Sequence, residues 1–409
     1  MRASAALVLV GSVASGVVSA QTPSSDAVRE TLAEFRSFAV EEMRRQGIVG
    51  GSLWIVQDGR VADRIHHGTA NLAERRPVDE NTIYHWASVT KTLTAVAIMQ
   101  LRDRGRLRLE DPVVRYIPEL RGIHDPFGSP EEITIHHLLS HSAGFRQATW
   151  PWGGDESWQP LAPRSWEQVA AMIPYTELLF RPGSRFSYSN LGYVFLGQII
   201  ERLTGDDYEV YVDKNVFKPL GMHRSYFDAT PYHLLRHRAA SYFLKDGAHT
   251  PGRPDADTGI TVSNGGLNAP LPDMARFLAF LTGARGDETT EADAVLKRPS
   301  LEEMWKPVLS ATGESREDVS IGLGFFVERR GGETWVGHGG TQNAFVSRLF
   351  LSPRLRIGYL FVVNTIGDPD SKDQKGDTPQ LNRRIRDEWI GKVVPAMSKS
   401  GAAPRRNGR

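Results

Sequence analysis

The 409-residue chain contains no cysteine, which excludes disulfides, cysteine-ligated metal sites and a thiol nucleophile at once. It also lacks a charge excess. Lys and Arg number 49 against 48 Asp and Glu, a formal net charge of +1, so no global field recruits nucleic acid or an anionic membrane. No internal repeat is visible. What is present, 40% hydrophobic, 24% charged and 9% aromatic residues, is the composition of an ordinary globular protein able to bury a large core.

The first twenty residues read as a secretory signal peptide. Arg2 supplies a positive start, Ala5 to Ala14 is largely apolar, and Val18-Ser19-Ala20 precedes Gln21 as a small-residue cleavage site. The expectation is an exported protein, periplasmic or secreted, without a membrane anchor once the leader is cleaved. An uncleaved anchor helix over the same stretch is the alternative. Without disulfides such a protein must rely on its core, which suits a bacterial exported enzyme.

Ser24 to Gln46 has the spacing of an amphipathic helix, with Leu32, Phe35, Phe38 and Met43 among charges. Gly51 to Gln57 and Arg60 to His66 read as strands joined by Asp58-Gly59, a hairpin signal. Helical patterns and turns dominate from Ser88 to Leu309, with no convincing strand. Strand patterns resume over Gly322–Arg330, Glu333–Gly337, Ala344–Leu351 and Arg356–Val363, and a last helix spans about Pro379 to Val394. The prediction is an α+β protein: an antiparallel sheet from both chain ends (residues 24–87 plus 315–397), flanked by helices and interrupted by a mostly helical domain (88–314). Residues 398–409 read as a disordered tail.

The stretch with chemical content is Ser88-Val89-Thr90-Lys91, which opens an apolar-periodic helix. A serine and a lysine three residues apart on a helix share one face. A serine alcohol needs a neighbouring group to take its proton, and a lysine made neutral by burial could be that base. The unpaired amides of the helix start could stabilise negative charge beside it. Taken alone, the motif is equally a serine cap followed by a surface lysine. Two further stretches bear on the choice: Tyr188-Ser189-Asn190, with a phenol and an amide on one edge of a turn, and Gly337-His338-Gly339-Gly340-Thr341, with glycines that allow close approach of another chain. His137 and His141 have metal-ligand spacing on a helix, but no Glu completes the H-E-x-x-H pattern, so packing and hydrogen bonding are the expected roles.

In this order, Ser-x-x-Lys, Tyr-x-Asn and His-Gly-Gly resemble the motifs of the serine penicillin-recognising enzymes, in the class C β-lactamase-like branch that also holds D-Ala-D-Ala peptidases, D-aminopeptidases and carboxylesterases. Thr134–Phe145 and Gly265-Gly266-Leu267 resemble its helical-domain signposts. The resemblance implies Ser88 as acylated nucleophile, Lys91 and Tyr188 as proton-transfer pair, and Asn190 as partner of lysine and substrate. His338, Gly339, Gly340 and Thr341 would line the substrate, with the amides of Ser88 and Thr341 as oxyanion hole. It implies no cofactor or metal, and a small ester, peptide or β-lactam as substrate. The β-lactamases of the branch carry Lys-Thr-Gly where this chain has His338-Gly339-Gly340, and a histidine supplies no permanent cation. Esterase and peptidase members tolerate histidine there. The function expected is hydrolysis of ester or amide bonds through an acyl-enzyme. A D-Ala-D-Ala carboxypeptidase, a weak β-lactamase and a catalytically silent cell-wall peptide-binding protein are the alternatives. Trp86, Trp150 and Trp152 are expected to wall an apolar acyl pocket.

Overall fold

The computed structural model describes residues 26–147, 149–150, 163–253, 259–283, 293–312, 319–372 and 375–400. The leader, Trp152 and all but the start of the tail lie outside these residues. Nine strands form one sheet: β1 (Gly50–Gln57), β2 (Arg60–Asn71), β3 (Arg76–Pro77), β4 (Leu309–Ser310), β5 (Val319–Ile321), β6 (Phe326–Arg330), β7 (Glu333–Gln342), β8 (Phe345–Ser352) and β9 (Ile357–Val363). Their order is β3-β2-β1-β9-β8-β7-β6-β5-β4, and all neighbours run antiparallel. Asp58 and Gly59, with φ of 50° and 76°, make the tight turn between β1 and β2, because both central residues of such a turn need positive φ. β1 then pairs with β9, from Gly51 opposite Val363 to Gln57 opposite Ile357. The two chain ends meet in the middle of the sheet, and β9, buried at every position, is apolar throughout.

The helices that matter are α1 (Asp26–Arg45), α2 (Thr90–Asp103), α3 (Asn190–Thr204), α4 (Leu271–Thr282), α5 (Thr378–Glu388) and α6 (Val394–Ser400). α1 turns Val28, Leu32, Phe35, Ala39 and Met43 inward, where they join Trp335, Tyr359, Trp389 and residues of α5 and α6 on one face of the sheet. α4 covers β1 and β9 on the opposite face. α2 is buried at every residue from Thr90 to Leu101. A helix apolar or hydrogen-bonded on all sides is an axial element, and the inserted helices are packed around this one.

Three expectations change. The mostly helical region, expected to hold no convincing strand, contributes to two small sheets: Leu267–Pro270 pairs with both Ile83–His85 and Tyr226–Phe227, while Tyr242–Lys245 pairs with both Ala248–Pro251 and Thr365–Gly367. The strand expected over Gly322–Arg330 is broken, since Gly324 has φ of +78° and dips onto α2, where an added Cβ would stand 2.4 Å from the Ala95 Cβ. The C-terminal helix runs on to Ser400, past the expected start of the tail.

Candidate active site

Ser88 does not open the α-helix. It lies in one tight turn, Ala87–Val89, and α2 begins at Thr90. Ala87 has φ of +47°, a left-handed conformation that costs a β-carbon residue about 1–3 kcal/mol. The turn presents a partly exposed Ser88 between buried neighbours. It is pinned by the Thr90 hydroxyl donating to Ala87 O at 2.6 Å and the Trp86 N–H donating to Leu267 O at 2.8 Å. Trp86 itself is fully buried, its indole N–H donating to Ala269 O at 3.0 Å. The expectation that Trp86 walls the acyl pocket is therefore wrong: the strand pair Ile83–His85 and Leu267–Pro270 draws its ring into the core.

Lys91 is fully buried, and its Nζ lies 3.2 Å from Ser88 Oγ, 2.9 Å from Asn190 Oδ1 and 2.8 Å from Asn264 O. The Asn264-Gly265-Gly266 segment ends a short helix over Val262–Gly265 and delivers this carbonyl. Burial holds the Lys91 ammonium well below the usual lysine range. A neutral amine has two donors and one lone pair. Here it can donate to Asn190 Oδ1 and Asn264 O while its lone pair accepts the Ser88 proton.

Tyr188-Ser189-Asn190 enters α3, capped by the Ser189 hydroxyl accepting from the Gly192 N–H at 3.1 Å. Because Ser189 does the capping, Asn190 is free to hold Lys91. Its Nδ2 donates to Thr149 Oγ1 at 3.1 Å, a contact that sequence reasoning missed. This brings the segment before Trp150 to the site, although the Trp150 ring packs, partly buried, against the core. Burial raises the Tyr188 phenol well above its ordinary range, with the Ser88 hydroxyl acting the other way. The ring lies 5.0 Å below Lys91 Nζ.

His141, read as a packing residue, stacks on Tyr188 at 4.4 Å. Its Nδ1 accepts the Ser189 N–H at 3.0 Å, leaving the proton on a buried Nε2 without a hydrogen bond. His137 instead completes a capping box with Thr134, so the two histidines serve different elements. The signal available for His141 was only its place in the Thr134–Phe145 stretch.

His338 and its glycines are not at the end of a strand but within β7, which continues to Gln342. β6 pairs with β7 only as far as Gly337, so residues 338–342 have no β6 partner on that edge. Gly340 is required by proximity. A Cβ there would lie 2.2 Å from Trp86 O, 2.6 Å from Ser347 Oγ and 3.0 Å from Ser88 N, which brings the exposed Thr341 close to the Ser88 turn. The buried His338 ring lies 6.1 Å from Tyr188, and its Nδ1 donates to Gly339 O at 2.6 Å. Burial, then the charge of Lys91, pushes His338 down to about 3. The third motif therefore contributes a neutral imidazole.

Comparison with known proteins decides the family. The Beta-lactamase family model matches residues 35–379. The chain belongs to the Beta-lactamase family. Protein flp of Staphylococcus aureus (strain COL) is 27% identical over 323 residues, 79% of this chain and 61% of flp, so the chain spans about three fifths of that relative's length. Esterase EstB of Burkholderia gladioli is 33% identical over 208 residues, 47% of this chain and 52% of EstB. Among solved structures, the octameric penicillin-binding protein homologue from Pyrococcus abyssi superposes with a TM-score of 0.72 at 29% identity, covering 89% of this chain and 78% of that one. A class C β-lactamase, at a TM-score of 0.70 and 18% identity over 94% of this chain and 99% of its own, shares the fold. The α+β expectation, with its sheet from both chain ends and inserted helices, is borne out.

Proposed function

We propose that the protein is a serine hydrolase that forms an acyl-enzyme on Ser88 and acts on small esters or peptides in preference to β-lactams. The observation that carries this reading is a fully buried Lys91 whose Nζ lies 3.2 Å from the Ser88 hydroxyl and whose other partners are an amide oxygen and a carbonyl. Among the described residues no carboxylate pairs with the amine, which supports its role as a base.

Lys91 takes the Ser88 proton as Oγ attacks the carbonyl carbon. The carbonyl oxygen becomes an oxyanion, received by the backbone N–H groups of Ser88 and Thr341. The tetrahedral intermediate collapses, its C–O or C–N bond breaks, and the leaving group takes a proton through the neutral Tyr188 phenol, which Lys91 replenishes. Water then attacks the acyl carbon by the same route in reverse, releasing the acid and restoring Ser88.

The preference over β-lactams rests on His338, which is neutral at working pH and gives a lactam carboxylate no fixed cation. Relatives named as an esterase and as a D-stereospecific amidohydrolase support the same substrate range. Trp150 is a candidate for contact with the acyl group, through the neighbouring Thr149. Export is part of this reading and rests on residues 1–20. A catalytically silent peptide-binding protein has no use for a depressed lysine beside a serine. A fluorescent alkylphosphonate should label the protein, and Ser88→Ala should abolish labelling. A wild-type protein that resists the reagent would leave the silent reading standing.

A further inference from the structure

On the α5 side of the sheet a pocket of about 170 Å³ lies against the third motif; His338, Gly339, Glu328, Arg348, Asn382 and Arg386 are among the residues that line it. Arg348 lies opposite Gly339 in the β7–β8 ladder. Its guanidinium lies across the space a side chain at 339 would fill, since a Cβ there would stand 2.1 Å from Nη1. A glycine at 339 is thus what lets the cation cross the strand.

The charge in this pocket is unbalanced. Glu328 accepts from Arg386 Nη1 at 2.9 Å and lies 3.8 Å from Arg330. Arg348 is hydrogen-bonded only through Nη1, to Ser347 O at 2.8 Å, and among the described residues no carboxylate lies within ion-pairing distance of it. Asp387 lies 3.9 Å from Arg386 and 2.9 Å from Arg330, so Arg330, Arg348 and Arg386 face two carboxylates, and the positive charge left over is that of Arg348. A guanidinium offers five N–H donors in a fixed fork that matches a carboxylate, and leaving most of them unpaired in a partly buried site is costly. Burial lowers the Arg348 guanidinium from its ordinary range, and Arg386 adds to the effect.

The geometry points to a binding site for a small carboxylate, held by Arg348. The carboxylate has two possible sources: a free small acid, or an acidic group carried by the substrate and reaching around the unpaired edge of β7. In either case the ligand touches Gly339, whose carbonyl accepts the His338 Nδ1–H, so occupancy is transmitted to the third motif. The binding claim stands independently of acylation at Ser88.

Two measurements test it. In the first, sodium acetate is compared with sodium chloride at matched ionic strength. Acetate should raise the Tm of the wild type and of Ser88→Ala but not of Arg348→Gln, with Arg348→Lys in between. In the second, hydrolysis of an aryl butyrate is compared with that of an aryl ester bearing a terminal carboxylate. If the substrate supplies the anion, Arg348→Gln should lower kcat/KM about tenfold or more for the acidic ester, as loss of a desolvated charge partner does, and leave the butyrate unchanged. A shift of Tm with unchanged ester selectivity assigns the site to a free acid. Equal losses on both esters with no specific acetate effect would overturn the proposal and make Arg348 a structural residue. Failure of the serine-hydrolase reading would show instead as loss of all turnover with the acetate effect intact.

Discussion

Replacing Lys91 with methionine keeps the length and apolar stem of the side chain and removes the amine. A positioned base contributes about 10²–10⁴-fold, equivalent to about 3–5 kcal/mol of transition-state stabilisation, and kcat/KM should fall by at least the lower figure. Tyr188→Phe should cost a similar factor. The double variant should be no worse than the poorer single, because the two groups move the same proton. Stability moves separately. Asn190 Oδ1 and Asn264 O, 2.9 and 2.8 Å from Nζ, lose a donor, at about 1–3 kcal/mol each, while the penalty of burying the amine is lifted. The sign with pH follows from the depressed lysine. Between its folded pKa and about 10.4 for a free lysine, the unfolded chain binds the extra proton, so wild-type stability rises with pH and falls as pH drops. Lys91→Met removes that dependence. Its Tm relative to wild type should therefore be higher at pH 6 than at pH 9. Stopped-flow acylation with an aryl ester and thermal melts at the two pH values give both quantities. A Lys91→Met enzyme within tenfold of wild type, or single losses that multiply in the double variant, would refute the shared proton path.

Two shorter expectations concern β7. His338→Lys should raise the rate of cephalosporin hydrolysis relative to aryl ester hydrolysis, because it introduces the cation that neutral His338 lacks; an unchanged ratio in parallel assays would show that this position does not read the carboxylate. Gly340→Ala should lower both Tm and alkylphosphonate labelling, since its Cβ, 2.2 Å from Trp86 O, must push the Ser88 turn and β7 apart by about 1 Å, a displacement that can cost about 100-fold. Retained labelling at wild-type rate would mean that the turn is not set by this contact.

The three candidate motifs were legible because each is local. Ser88 and Lys91 are related by one helical turn, Tyr188 and Asn190 by two residues, and His338 to Gly340 form one run. The same holds for the Asp58-Gly59 hairpin, and Asp246-Gly247 carried the identical signal for the Tyr242–Lys245 and Ala248–Pro251 hairpin, unused because those strands have four residues each. β7 was cut short at Gly337 because glycines weaken a strand pattern, whereas pairing with β8 carries it to Gln342. Burial of Trp86, and the approach of Asn264 O and Thr149 to Lys91 and Asn190, depend on contacts spanning 41 to 183 residues of chain. No window on the sequence contains both partners. Arg348 was invisible for a related reason: only the ladder shows that it lies opposite a glycine.

The site gathers three basic side chains, Lys91, His141 and His338, and each of the histidines is depressed in part by the charge of Lys91. Among the described residues none has a carboxylate as a hydrogen-bond partner. A carboxylate beside Nζ would hold the ammonium and prevent it from accepting a proton, so under the proposed mechanism the amide at position 190 is what leaves Lys91 able to act as a base. Asn190→Asp tests this with almost no change of shape. It places a negative charge about 3 Å from Nζ, judged by the present Oδ1 at 2.9 Å. At an effective dielectric constant of about 20 the attraction is about 6 kcal/mol in favour of the charged form, partly offset by desolvation of the new carboxylate. Even a third of that shifts the lysine equilibrium by more than tenfold. The acid limb of the kcat/KM profile, where activity is lost as Lys91 gains its proton, should move to higher pH. Activity at pH 7 should fall sharply and recover in alkaline solution. A purely structural role for Asn190 would lower the whole profile without moving the limb. A profile that superimposes on the wild type after scaling would show that the charge state of Lys91 does not limit acylation.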